Sequence, residues 1–223
     1  WWDHISQELV TAVDERYRTF ARPSSRGLAG DFIGGYCALR VVMERPGVFS
    51  SVYALHPVAT GFGGGLMTTP VDWHLLNTAK SYDDLKAVSG VTRAFLLMAQ
   101  SHSPNLNRPP FYANFMKTLE GSELVMKPDT VHEIRTQFML AQRVPQAVQA
   151  LKQLDGLMFD WGRYDPNQDH VKGNQEFTRM LETYGVDHYA EEHQGNEWEE
   201  KWIPYGRIED RFLPFFKRFL TPE

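Results

Sequence analysis

Residues 26–40, RGLAGDFIGGYCALR, have the glycine pattern of a short strand running into a strained turn and then a helix. Such a turn lifts the side chain at its tip clear of the backbone, where a serine would supply a nucleophilic hydroxyl. Here Gly30 and Gly34 bracket the turn, but the tip is Phe32, whose ring has no nucleophilic atom. Asp31 is the nearest reactive group. It stands one residue before the tip, so its carboxylate points elsewhere than a tip residue's would.

Other reactive side chains are dispersed. His56, His74, His102, His170, His188 and His193 lack the i, i+4 spacing of a helical zinc site, so no metal is expected, and they read as surface or packing residues. Cys37, the one cysteine, excludes an internal disulfide and reads as a small buried hydrophobe. Trp198, Trp202 and Tyr205 cluster in WEEKWIPYG, with Trp73 and Tyr82 further back. Aromatic faces beside polar groups grip sugars, and the same rings also serve to pack a terminal helix.

The chain has 223 residues, 42% of them hydrophobic, enough for one sizeable core, so a single domain over 1–223 is expected. A formal charge of -5 without a Lys/Arg-dense stripe argues against nucleic-acid binding. No apolar run approaches the length of a membrane span and no signal-peptide pattern opens the chain, so a soluble protein is expected. Its compartment, cytoplasmic or secreted, is left open.

The elements that must position these residues alternate. WWDHISQELVTAVDERY places Ile5, Leu9, Val10 and Val13 on one helical face. RGLAG, FSSVYALHP, LDGLMFDWG and VDHYAEEH read as strands, with helices expected over 35–44, in NQEFTRMLETYG and in RIEDRFLPFFKRFL. This is the alternation of an α/β fold with a parallel sheet. Residues 59–152, with the Gly-rich GFGGG and the Pro/Asn-rich SHSPNLNRPPF, read as an insertion over the sheet's carboxyl edge.

The run from WWDHISQELV through RGLAGDFIGGYCALR and FSSVYALHP to FDWGRYDPN and RFLPFFKRFL resembles the esterase D and feruloyl esterase branch of the α/β-hydrolases. The resemblance spans nearly the whole chain. It implies an α/β-hydrolase-like sheet flanked by helices, with Phe32 at the nucleophile position, Asp165 as the triad acid, and Glu197 where the family has its histidine. It also implies that the family's amino-terminal strands are missing, leaving RGLAG as an open edge. A second copy, a companion amino-terminal segment or a repacked opening helix would have to cover that edge.

Ordinary acyl-enzyme chemistry is then not expected. Three readings remain: a non-catalytic descendant acting as a binding module, carboxylate chemistry, or hydrolysis through another nucleophile or a metal. In the carboxylate reading Asp31, Asp165 and Glu197, from three loops at one sheet edge, hydrolyse a carbohydrate-related substrate as glycosidase acid and base, with Phe32, Trp198, Trp202 and Tyr205 in contact with it. Each acid also has an ordinary role, as helix cap, strand-end turn residue or member of a solvated acidic run. No cofactor is expected.

Overall fold

The computed structural model describes residues 2–62 and 69–221. Four strands, β1 (Gly27–Asp31), β2 (Ser51–Leu55), β5 (Gly156–Gly162) and β6 (Tyr189–His193), form one parallel sheet in the order β1-β2-β5-β6. Every residue of β2 and β5 is buried, as two covered faces demand. The expected strands are all present, shifted at their ends by a few residues.

The side-chain alternation divides the core in two. Val52 and Ala54 of β2, with Leu157, Phe159 and Trp161 of β5, join one cluster beneath α2 (Ile33–Glu44), α6 (Leu140–Lys152) and α7 (Gln168–Thr183). Tyr53, Leu55 and Met158 face the other way, onto Phe215 of α8 (Leu213–Phe219). Burying side chains such as Phe159 and Leu157 stabilises the fold by about 1.5–3 kcal/mol each. Replacing either by alanine would open a cavity within this cluster. Two widened helical turns, His4–Leu9 and Ile208–Phe212, lead into α1 (Val10–Arg16) and α8.

Between β2 and α6 a segment of the chain carries α3 (Trp73–Thr78), α4 (Gly90–His102), the antiparallel hairpin β3 (Lys117–Glu120) and β4 (Glu123–Met126), and α5 (Pro128–Phe138). It has its own small core around Leu76, Leu96 and Phe111. Helix α6, inside the range read as insertion, belongs instead to the main layer, because Leu140, Val144 and Leu151 are buried with α2 and α7. Four-residue strands flanked by turns gave the hairpin no clear alternation in sequence. Gly61 and Phe62 of GFGGG are described, whereas Gly63–Gly65 lie outside the described residues.

Among the described residues, strand β1 lies at one edge of the sheet with β2 beside it. Next to it a groove of about 580 Å³ is lined by Leu9, Val13, Phe20, Leu28, Phe49 and Leu220. None of the described helices is long and apolar enough to cross a membrane.

Candidate functional site

The site lies at the carboxyl ends of β1, β2 and β5. Strand β1 ends in Asp31, and Phe32 takes φ 56° and ψ -113° before α2 begins. A non-glycine residue at such a φ costs on the order of 1–3 kcal/mol and persists only where its surroundings enforce it. Two features enforce it here. A Cβ on Gly30 would lie 2.0 Å from the Gly34 carbonyl oxygen, so only glycine permits so sharp a turn. The Phe32 N–H also donates to Leu55 O at 2.9 Å, tying the tip to β2. Among the described residues no side chain caps helix α2, so its first amides, from Ile33 onward, lie beside the tip without a side-chain acceptor there.

Around Phe32 is an aromatic set. Its ring stacks on Trp198 at 5.5 Å between centroids, meets the edge of His170 at 5.3 Å and lies parallel to His56 at 6.2 Å. Asp31 is engaged elsewhere than with the histidines: its Oδ1 accepts from Lys201 Nζ at 2.5 Å. Lys201 is 0% exposed, and its ammonium also sits 5.2 Å from the Trp198 ring centre. This half-buried pair ties the chain after β6 to the turn. The same chain passes so close to the end of β5 that a Cβ on Gly162 would lie 2.2 Å from Asn196 O.

Asp165, in the turn between β5 and α7, is the hub. Its Oδ2 accepts from His56 Nε2 and from His170 Nδ1, each at 2.7 Å, and its Oδ1 accepts the Asn167 amide at 2.6 Å. Burial pushes this carboxyl up, but the hydrogen bonds from His170, His56 and Asn167 outweigh burial and hold it well below the usual carboxylate range. Asp165 is therefore ionised with both oxygens occupied. Beneath it, Asp160 accepts from Tyr53 Oη at 2.5 Å and Arg207 Nε at 2.8 Å, a buried network that fixes the ends of β2 and β5.

His56, Asp165 and His170 present ligand-type atoms within 4.8 Å of one another. The hydrogen bonds argue against a metal there. His56 Nδ1 accepts the Gly162 N–H at 3.1 Å, so the ring proton is on Nε2, the atom facing Asp165. A metal-bound imidazole needs that lone pair free and its other nitrogen donating, which is the reverse. The arrangement suits proton transfer instead: Asp165 orients the His170 ring, which keeps 19% side-chain exposure, beside the turn.

Of the residues expected from sequence, Asp165, Phe32 and Trp198 surround one point, with Asp31 directed to Lys201. Glu197 has a buried Oε2 without a hydrogen-bond partner. Trp202 and Tyr205 are 70% and 83% exposed, and Tyr205 lines a separate polar cleft with His193 and Arg207. His193 is buried, which pushes it below the usual imidazole range, and its Nδ1 accepts the Gly195 amide at 3.1 Å. Sequence reading missed His56 and His170 by grading each histidine singly. The spacing Asp165, Asn167, His170, around a helix start, was the available signal.

A pocket of about 200 Å³ adjoins the site, lined by Phe62, Thr69, Trp73, Phe95, Met116 and Val131 among others. Thr69 links the two, donating through N and Oγ1 to Asp169 Oδ2 at 2.7 Å.

Comparison with known proteins agrees with this geometry. No curated protein matches the chain. A solved ferulic acid esterase superposes with a TM-score of 0.58 at 14% identity, covering 98% of this chain and 61% of its own. An S-formylglutathione hydrolase from Agrobacterium tumefaciens gives 0.52 at 14% identity, covering 99% and 57%. The chain thus spans about three fifths of these structures' length, and at this identity they show the fold alone. The family model described as "Putative esterase" matches residues 1–205, and the fold is that of its α/β-hydrolase neighbours. The chain belongs to this esterase family.

Proposed function

We propose that the protein hydrolyses a carboxylic ester with water activated directly by the Asp165–His170 pair. The observation that carries this reading is the 2.7 Å contact from His170 Nδ1 to an ionised, buried Asp165 beside the turn at Phe32. A carboxylate that holds Nδ1 leaves Nε2 as the base. In the step, Nε2 takes a proton from water as its oxygen bonds to the ester carbonyl carbon. The carbonyl electron pair moves to an oxygen facing the uncapped amides of α2, and on collapse the alkoxide leaves with the proton from Nε2. The apolar acyl group would occupy the 200 Å³ pocket, whose Trp73, Phe95 and Met116 walls suit one ring or a short chain.

The carboxylate glycosidase reading has less support. It needs a protonated carboxyl beside an ionised one. Asp165 is held ionised, but His56, His170 and the Asn167 amide take both its oxygens, and Asp31 is paired with Lys201, which leaves Glu197 with no ionised carboxylate free to work beside it. A second reading, binding without turnover, is favoured by the packing of Phe32 against His170 and Trp198, which fills the tip.

The test is turnover of p-nitrophenyl esters by the purified protein and by His170→Gln. Hydrolysis that falls about 10²–10⁴-fold in the variant supports water activation. Binding without hydrolysis in the unaltered protein supports the second reading, and an unchanged rate in the variant removes His170 from the chemistry.

A further inference from the structure

Asn167 precedes α7 with non-helical backbone angles, and its Oδ1 accepts the Asp169 N–H at 3.2 Å, capping the helix. That bond fixes which way the amide faces. Its nitrogen donates to Thr69 Oγ1 at 3.1 Å and lies 3.1 Å from His170 Nε2. An amide nitrogen only donates, so Nε2 must accept. The contact to Asp165 demands the same tautomer, with the ring proton on Nδ1.

We infer that Asn167 is a positioning residue that sets the proton occupancy of His170: by capping α7 with its oxygen it holds its N–H against Nε2 and opposes a second proton there. This rests on the proposed role of His170 as the base. A doubly protonated ring would set N–H against N–H on the Asn167 side, while Asp165 on the other side favours the charge. The ring is therefore held between two opposed neighbours three and five residues earlier in the chain. Water that reaches Nε2 takes the place of the Asn167 donor.

The other groups around the ring do not reproduce this effect. His56, at 6.1 Å between ring centres, is locked with its proton toward Asp165, and Phe32 presents an uncharged edge. Asp169 accepts from Thr69, and Asp31 is paired with Lys201.

Imidazole ¹⁵N NMR on the full chain tests the inference without requiring activity. In the unaltered protein at neutral pH, His170 is expected to show a protonated Nδ1 and a bare Nε2. Asn167→Asp keeps an oxygen to cap α7 and places a carboxylate oxygen at Nε2, so Nε2 is expected to become protonated at the same pH. Asn167→Ser keeps a short side-chain oxygen at the cap position and withdraws the amide N–H from Nε2, and guards against misfolding of the first variant: its Nε2 is expected to protonate at higher pH than in the unaltered protein. A wild-type ring with its proton on Nε2, or folded variants with unchanged Nε2 protonation, would overturn the inference. Where esters are hydrolysed, the acidic limb of the pH–rate profile should move up by about 1–3 pH units in Asn167→Asp, since the base must be unprotonated. Nitrogen shifts as expected with no hydrolysis of any ester would uphold Asn167's role and refute the ester reading alone.

Discussion

Asp165→Asn should destabilise the protein by about 2–5 kcal/mol, because the wild-type carboxylate satisfies three donors that one amide cannot. His56 Nε2 and His170 Nδ1 both reach Oδ2, and the Asn167 amide reaches Oδ1. An asparagine offers one accepting oxygen. If that oxygen takes the two imidazoles, the new amide nitrogen meets the Asn167 N–H; if it turns round, the nitrogen meets two imidazole donors. Either way at least one buried donor is left unpaired, costing about 1–3 kcal/mol, and the remaining bonds lose their charge. In a chain of 223 residues that loss corresponds to a fall in Tm of very roughly 4–20 °C. The pH dependence gives an independent check. The folded carboxyl is depressed, so its contribution is fully present above the unfolded value near 3.8 and is lost as pH falls toward the folded one. The difference between denaturant melts of the two proteins should therefore shrink as pH falls below about 4. A difference under 0.5 kcal/mol at pH 7, or one that does not shrink in acid, would refute the account of Asp165 as an ionised hub.

Asp31→Asn leaves the fully buried Lys201 ammonium without its anion and should cost about 1–3 kcal/mol in denaturant melts, below the 3–5 of a wholly enclosed pair because Asp31 is 22% exposed. Lys201→Met, which removes the charge but keeps the volume, should be closer to neutral, and equal losses in both variants would contradict the ion-pair reading. Gly30→Ala should prevent native folding, judged by near-ultraviolet circular dichroism, since its Cβ would overlap the Gly34 carbonyl at 2.0 Å; a native spectrum would show that the turn can open.

Much of the fold was legible because its signals are local. Apolar runs bounded by glycine and proline marked all four sheet strands, and the steric demand at Gly30 made the strained turn readable although its tip is phenylalanine. The assignment of α6 failed for a physical reason: its apolar face at Leu140, Val144 and Leu151 looks the same whether it covers the sheet or an insertion. The site was half legible. Asp165 was singled out by the family resemblance at FDWGRYDPN, but its partners come from the end of β2 and the first turn of α7, and no spacing rule links His56 to residue 165. Lys201 was invisible as a buried residue because its surroundings, Asp31 and Trp198, are assembled only by the chain that crosses Gly162.

The central claim is that water, and not a protein side chain, attacks the ester. Intact-protein mass spectrometry during hydrolysis of a p-nitrophenyl ester tests it most directly. The account predicts release of p-nitrophenol with no adduct on the 25.7 kDa chain at any time and no initial burst. An adduct of acyl mass that forms and decays at the rate of turnover would contradict it, as would the absence of any p-nitrophenol release.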